Sequence, residues 1–152
     1  METINLKGGD AMDGYLNALA EKIGKGKLLR VGFLENSTYP DGTQTATVAA
    51  ADEYGNPANN QPARPYFRNM IAERSPDWPN QMGKLILANN YDVSRSLSLM
   101  GENIKSQLQE SIISLTEPKL AQSTIDRKGF DKPLIETSHM LNSADYDVKE
   151  IE

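Results

Sequence analysis

The feature of this sequence that most constrains the fold is an apolar stripe between residues 93 and 112. Six apolar side chains recur there at intervals of three or four positions: Val93, Leu97, Met100, Ile104, Leu108 and Ile112. Because an α-helix turns once in about 3.6 residues, all six fall on one face. The spacing predicts a long amphipathic helix that ends before Pro118.

Shorter elements are predicted ahead of this helix. Asp10 is a plausible N-cap for an amphipathic helix that ends near Gly24, and residues 28–34 have the short apolar pattern of a strand. Residues 45–54 are rich in alanine and stop at Gly55, which favours a short helix with a glycine C-cap. Pro65 is suited to the first turn of a further short helix.

The remaining segments are predicted as breaks, turns and a final strand. Pro76 and Pro79 interrupt any continuation of the short helix that begins near Pro65. The segment LIETSHMLNS, residues 134–143, is interpreted as a turn that leads into a closing strand near residues 146–151. Residues 1–152 therefore predict a single α+β domain, in which a small antiparallel sheet packs with the long amphipathic helix and with shorter helices.

A long loop rich in proline and asparagine is predicted near residues 55–64. The sequence GNPANNQPAR has no hydrophobic periodicity and is typical of surface loops. We expect this loop to become ordered against a partner.

The composition limits the classes of function. The chain has 21 acidic and 16 basic residues, a formal charge of -5 and no cysteine. Disulfides and cysteine-based metal sites are thereby excluded, and the overall charge does not favour nucleic-acid binding. No apolar run approaches the roughly 20 residues of a membrane span. We expect a soluble protein that is made and assembled in the cytoplasm.

Catalytic readings of the single histidine are weak. Ser138 and His139 are adjacent, and adjacent side chains diverge on a strand or a helix, so a triad with Asp145 lacks the required geometry. The scattered carboxylates match no calcium-loop or zinc-helix motif. A metal-dependent hydrolase that uses His139 and nearby carboxylates is kept as an alternative.

Basic and aromatic residues concentrate between residues 64 and 78. Arg64, Arg68 and Arg74 lie near Tyr66, Phe67 and Trp78, a combination that can contact phosphate and stack on bases. The competing interpretation is that the aromatic residues anchor a helix while the arginines form ion pairs or contact a subunit. A small nucleic-acid-binding module is therefore the second alternative.

The order of three phrases resembles a family of phage proteins. ADEYG at 51–55, PARPYFR at 62–68 and LIETSHMLNS at 134–143, with the long helix between the last two, are similar to the tail completion and tail terminator proteins of tailed phages. These form the HK97 gp10-like family, with related minor tail and virion morphogenesis proteins. The ADEYG phrase alone carries no weight, and Ser138 stands where the family usually has glycine.

The resemblance implies a structural role without catalysis or a cofactor. The expected protein is a virion component of the neck, forming a ring, commonly a hexamer, at the head-proximal end of the tail. Its expected partners are other copies of itself, the tail tube protein and a head-completion or connector protein. Genomic DNA would pass through the lumen without sequence-specific binding, and no membrane is involved. Negative charge suits such passage because it discourages contact with phosphate.

The same resemblance selects candidate interface and anchor residues. The loop residues expected to contact a neighbouring subunit or the tail tube are Asn56, Pro57, Asn59, Asn60 and Gln61. The residues expected to form a structural anchor after the loop are Arg64, Pro65, Tyr66, Phe67 and Arg68. Glu136 and Thr137 are expected to hold the turn before the final strand, with the Thr137 hydroxyl as a capping group.

Overall fold

A 23-residue helix, α5 (Val93–Leu115), is the element against which most others pack in the computed structural model. The structure describes residues 9–115 and 132–151. The other elements, in chain order, are α1 (Gly9–Ile23), β1 (Lys27–Phe33), α2 (Thr45–Tyr54), α3 (Tyr66–Arg74), α4 (Trp78–Ala88), α6 (Lys132–Ser143) and β2 (Ala144–Glu150). The predicted α+β class and the predicted long helix are confirmed.

The sheet has two strands among the described residues, β1 and β2. β1 and β2 are antiparallel, and their register runs from Lys27 opposite Glu150 to Phe33 opposite Ala144. One face of this pair packs on α5. Gly101 of α5 makes the approach close, since a Cβ atom there would lie 2.5 Å from the Tyr146 ring and 2.9 Å from Leu29.

The core follows the apolar stripe of α5. The last four of its six apolar residues, Met100, Ile104, Leu108 and Ile112, are buried, and Leu108 has no exposed surface. The buried apolar residues of the described chain are Ala49, Tyr66, Met70, Met100, Ile104, Leu108, Ile112, Met140 and Ala144. The core therefore joins α2, α3, α5, α6 and the start of β2.

The sequence prediction missed α4. Pro79 was interpreted as a break, but it stands in the first turn of α4, where the missing N–H is not needed and the fixed φ suits a helix. A 3₁₀ turn at Ser75–Asp77 separates α3 from α4. The prolines thus end one helix and begin the next.

The predicted turn over residues 134–143 is wrong. This segment belongs to α6, which ends at Ser143, directly before β2 begins. Met140 of α6 is buried, and so is Ala144, the first residue of β2, so the junction between the two elements lies in the core. Glu136 and Thr137 accordingly lie within a helix, and their side chains fall outside the described part of the chain.

Candidate functional site

A buried carboxylate joins α2 to α3. Glu53, in the last turn of α2, is 6% exposed. It accepts hydrogen bonds from the backbone N–H of Phe67 at 2.9 Å and of Arg68 at 3.0 Å. The first N–H groups of a helix have no partner within the helix, and its N-terminus carries partial positive charge. The Glu53 carboxylate therefore caps α3 from another element.

Arg68 adds further contacts between α2 and α3 on the solvent side. The contact formed by Glu53, Phe67 and Arg68 is called the joint below. Its Nε donates to Glu53 Oε1 at 3.0 Å, and its Nη2 donates to the Glu53 backbone carbonyl at 2.9 Å. The guanidinium group also lies over the Tyr54 ring, 5.2 Å from the centroid. The cation thus neutralises a carboxylate that would otherwise be costly to bury.

Gly55 allows the chain to leave α2 at this joint. Its φ is +75°, and a Cβ atom would lie 2.8 Å from the Ala63 nitrogen and 2.9 Å from the Gln61 carbonyl oxygen. Both obstacles are backbone atoms, which cannot rotate away. Any other residue at this position therefore has to displace the following loop.

The loop after Gly55 is closed by its own hydrogen bonds. Asn56 and Gln61 exchange backbone bonds of 2.9 and 3.0 Å around a 3₁₀ turn at Pro57–Asn59. The Gln61 side chain donates to Asp52 at 2.6 Å, tying the loop to α2. Asn60 adopts the left-handed conformation, with φ of 51°.

The candidate contact residues of this loop differ in exposure. Pro57, Asn59 and Asn60 are exposed, whereas Asn56 and Gln61 are half-buried. Their contact with a neighbour stays a prediction. Within the chain, the hydrogen bonds between Asn56 and Gln61 and from Gln61 to Asp52 hold this conformation.

Tyr66 attaches the joint to the long helix. Its side chain is 3% exposed, and its hydroxyl donates to the Ala49 carbonyl at 3.0 Å. Ser111 of α5 donates to the Tyr66 carbonyl at 2.6 Å. Burial, with the negative charges of Asp52 and Glu53, raises the pKa of the Tyr66 phenol.

The other two candidate anchors lie at the entry to α3. The Arg64 backbone N–H donates to the Asp52 carbonyl at 2.7 Å, and Pro65 immediately precedes the first residue of α3. The five residues 64–68 thus lead from the loop into the core. They form one structural unit with α2.

An apolar groove of about 580 Å³ opens beside this joint. Its walls come from β1, α2 and α3, and Phe33 and Phe67 meet edge to face in it, with ring centroids 5.9 Å apart. Arg30, Glu35 and Arg68 are the charged residues that line it together with Glu53. The groove lies on the side of β1 away from β2, since no β2 residue lines it.

Arg30 forms a small ionic cluster on the outer face of the sheet. It donates to both carboxylate oxygens of Asp147, at 2.9 and 2.5 Å, and to Glu35 at 3.0 Å. The hydrogen bonds from Arg30 lower the pKa of Asp147 below its usual value. The cluster links β1 to β2.

His139 has structural contacts. Its ring lies 4.1 Å from the Tyr39 ring, centroid to centroid, and its Nε2 is 3.4 Å from Thr45 Oγ1. Asp145 instead accepts the backbone N–H of Tyr146 at 2.8 Å. The contacts of His139 and Asp145 therefore run to different groups. Across residues 9–115 and 132–151, no group of three or more histidine, aspartate or glutamate side chains could hold a metal ion.

The arginines of the basic and aromatic segment include two with acidic partners. Arg68 pairs with Glu53 at 3.0 Å, and Arg74 pairs with Glu110 at 3.2 Å. Trp78 donates its indole N–H to Gln107 at 2.8 Å and packs against the core. This arrangement fits the interpretation of aromatic anchors with arginine ion pairs.

The apolar face of α1 is exposed. Met12, Tyr15, Leu16 and Ile23 retain between 44% and 58% of their surface. The contacts of α1 include a hydrogen bond from the Lys22 side chain to Asn90 at 3.2 Å. Within the described residues α1 packs on no other element extensively, so its apolar stripe lacks the cover that a helix of this kind needs.

Sequence reasoning gave no weight to Glu53. A signal was present, since Thr45, Ala49 and Glu53 are spaced by four and form the buried face of α2. An acid in line with two buried positions of a short helix requires a partner. That partner, the start of α3, could not be read from the spacing.

Comparisons with protein-family models, curated proteins and solved structures found no match. The resemblance to phage tail proteins therefore stays a prediction from short phrases. Among the described helices, none combines the length and apolarity needed to cross a membrane.

Proposed function

We propose that this chain is a structural subunit of a tailed-phage neck, forming a ring at the head-proximal end of the tail. The observation that carries the proposal is the joint at Glu53. Two phrases of the resemblance, residues 51–55 and 62–68, are separate in sequence, yet Glu53 of the first caps the helix that contains Phe67 and Arg68 of the second. The phrases therefore act as one structural device.

The exposed apolar face of α1 supports assembly with other copies. An apolar stripe of this size on a single chain is typical of a surface that a partner covers. A ring supplies such a partner by repeating one contact between identical subunits. In this ring the subunits would terminate or complete the tail tube and join it to the head.

The proposed ring lets DNA pass without binding it by sequence. A formal charge of -5 disfavours retention of phosphate, and the ion pairs of Arg68 and Arg74 reduce the cationic surface of the basic segment. We therefore expect no measurable binding of random duplex DNA at physiological ionic strength. Salt-dependent binding under those conditions would favour the nucleic-acid-binding alternative.

Native mass spectrometry of the purified chain tests the proposal. The expected result is one dominant oligomer, with six copies as the expected number, at micromolar concentration. A chain that is monomeric up to the highest soluble concentration would contradict self-assembly into a ring. A series of unlimited, concentration-dependent oligomers would indicate a filament and would also contradict it.

A further inference from the structure

Within residues 9–115 and 132–151, each strand of the sheet has one open edge. β1 and β2 are each other's only strand neighbours among the described residues. The backbone N–H of Ile151 donates to the Gly26 carbonyl at 2.8 Å, and these residues lie directly opposite in the register. In an antiparallel pair, hydrogen-bonded and non-hydrogen-bonded positions alternate. Leu28, Arg30 and Gly32 therefore bond to β2, while the backbone groups of Lys27, Leu29, Val31 and Phe33 point outward.

The same alternation assigns the outward groups of β2. They belong to Ala144, Tyr146, Val148 and Glu150. The Tyr146 N–H donates to the Asp145 carboxylate, which agrees with an outward direction and leaves that donor already satisfied. The open groups nearest the end of the strand are those of Val148 and Glu150.

On β1, the outward backbone groups without a described backbone partner also lie at one end of the strand, the Lys27 end. The Phe67 ring packs against Gly32, where a Cβ atom would lie 3.2 Å from it. The Phe33 end of the edge is thus bordered by α3 and the groove. Lys27 and Leu29, at the other end, have outward backbone groups that no described backbone group bonds. Because Lys27 lies opposite Glu150, the two open edges are open at the same end of the sheet.

We propose that the β1 edge of one copy pairs antiparallel with the β2 edge of the next, with Lys27 of one copy opposite Glu150 of the other. Arg30 and Asp147 already pair with each other within the chain. Of the remaining charged residues, β1 carries Lys27 and no acid, whereas β2 carries Asp145 and Glu150 with one base, Lys149. The two edges are therefore opposite in charge. Pairing β1 with β1, or β2 with β2, would bring like charges together. The occupant of each edge is accordingly a second copy of this chain.

This pairing connects two different surfaces, so it repeats from copy to copy. Such head-to-tail contacts generate a closed ring when the rotation between copies closes, and an open filament otherwise. The inference rests on the proposed ring and specifies the contact that builds it. In this arrangement the neighbouring copy continues the two-stranded sheet of the described residues.

Proline substitutions at the outward positions test the pairing. Lys27→Pro and Glu150→Pro each remove one outward N–H and leave the hydrogen bonds between β1 and β2 within the chain in place. The matched controls are Lys27→Ala and Glu150→Ala, which keep the N–H. Circular dichroism checks that all four variants fold, and sedimentation velocity measures their association.

We expect both proline variants to associate at least tenfold more weakly than their alanine controls. If the oligomer persists unchanged in both proline variants, the edge pairing is wrong while the proposed ring survives. If only Lys27→Pro dissociates, β1 pairs with β1 and the head-to-tail contact is wrong. A monomeric wild-type chain would overturn the pairing and the ring together.

Cross-linking gives a second readout that does not depend on proline. The chain has no cysteine, so single introduced cysteines report one contact each. A mixture of Lys27→Cys and Glu150→Cys chains, distinguished by mass, can form a disulfide between the two variants only across copies. We expect that mixed dimer to dominate over both homodimers. Predominance of either homodimer would contradict the proposal.

Discussion

Removal of the Glu53 carboxylate tests the joint on which the account of α2 and α3 depends. In Glu53→Ala, the backbone N–H groups of Phe67 and Arg68 lose their acceptor, and the Arg68 side chain loses its carboxylate partner. Glu53→Gln retains the size of the side chain and one carbonyl acceptor. The two variants therefore separate the loss of hydrogen bonding from the loss of charge.

The expected cost follows from the geometry. Loss of a helix N-cap destabilises a protein by about 0.5–2 kcal/mol, and hydrogen bonds to charged groups contribute about 1.5–3 kcal/mol. Glu53 is 6% exposed, so water replaces its bonds poorly. We expect Glu53→Ala to lower the free energy of unfolding by roughly 2–4 kcal/mol and Glu53→Gln by roughly 1–2 kcal/mol.

Urea unfolding measured at low protein concentration gives these values. Trp78 is the single tryptophan and bonds to α5, so its fluorescence reports tertiary structure, while circular dichroism reports helix content. Glu35→Ala is the control, because Glu35 pairs with Arg30 but its side chain is 72% exposed. We expect little change in that variant. A Glu53→Ala variant as stable as Glu35→Ala would refute the capping role.

Three further predictions concern backbone space and pH. Gly55→Ala should lower the thermal stability clearly more than Gly42→Ala does. Both positions have positive φ, but only at Gly55 would a Cβ atom meet backbone atoms. Equal losses in thermal unfolding would show that φ alone matters. Gly101→Ala should destabilise the contact between α5 and the sheet. Gly83→Ala in α4, where a Cβ atom meets nothing within 4 Å, should instead stabilise the protein by about 0.5–1 kcal/mol. A stabilising Gly101→Ala would contradict the close approach to Tyr146. The pKa of Asp147 is lowered by Arg30 from its ordinary value of 3.8, so this pair stabilises the fold above that pH and its contribution is lost as the pH falls through the lowered pKa. Urea midpoints measured on either side of that range should fall less steeply in Asp147→Asn than in the wild type, and parallel curves would contradict the assignment.

Local patterns predicted the helices that have one apolar face and end at a glycine or at a loop. The stripe from Val93 to Ile112 gave α5, and the alanine-rich segment before Gly55 gave the bounds of α2. In both, the periodicity and the terminal glycine or loop signals agree with the tertiary structure. The α+β class followed from these elements and the two strand patterns.

The helices α4 and α6 were not predicted, because the local sequence there is compatible with two different structures. Pro79 can end a helix or begin one, and only the packing of Trp78, Met82 and Leu85 on the core selects the second. The polar residues around His139 suggested a turn, although the segment is helical and places Met140 in the core. The outcome in both segments depends on tertiary burial.

The candidate site was only partly accessible to sequence reasoning. Tyr66 and its neighbours were singled out, and they lie at the junction of α2, α3 and α5. Glu53 was not, because its partners lie 14 and 15 residues further along the chain, beyond a loop whose path the sequence does not specify. The open edges of the sheet could not be foreseen, since they depend on how many strands pair.

The central claim is that copies of this chain assemble into a closed ring. Cryo-electron microscopy of the purified protein at the concentration where native mass spectrometry detects the oligomer tests it most directly. We predict class averages of a closed ring with a central opening and continuous density between β1 of one subunit and β2 of the next. Isolated monomers, twofold dimers or open filaments as the dominant particles would contradict the account.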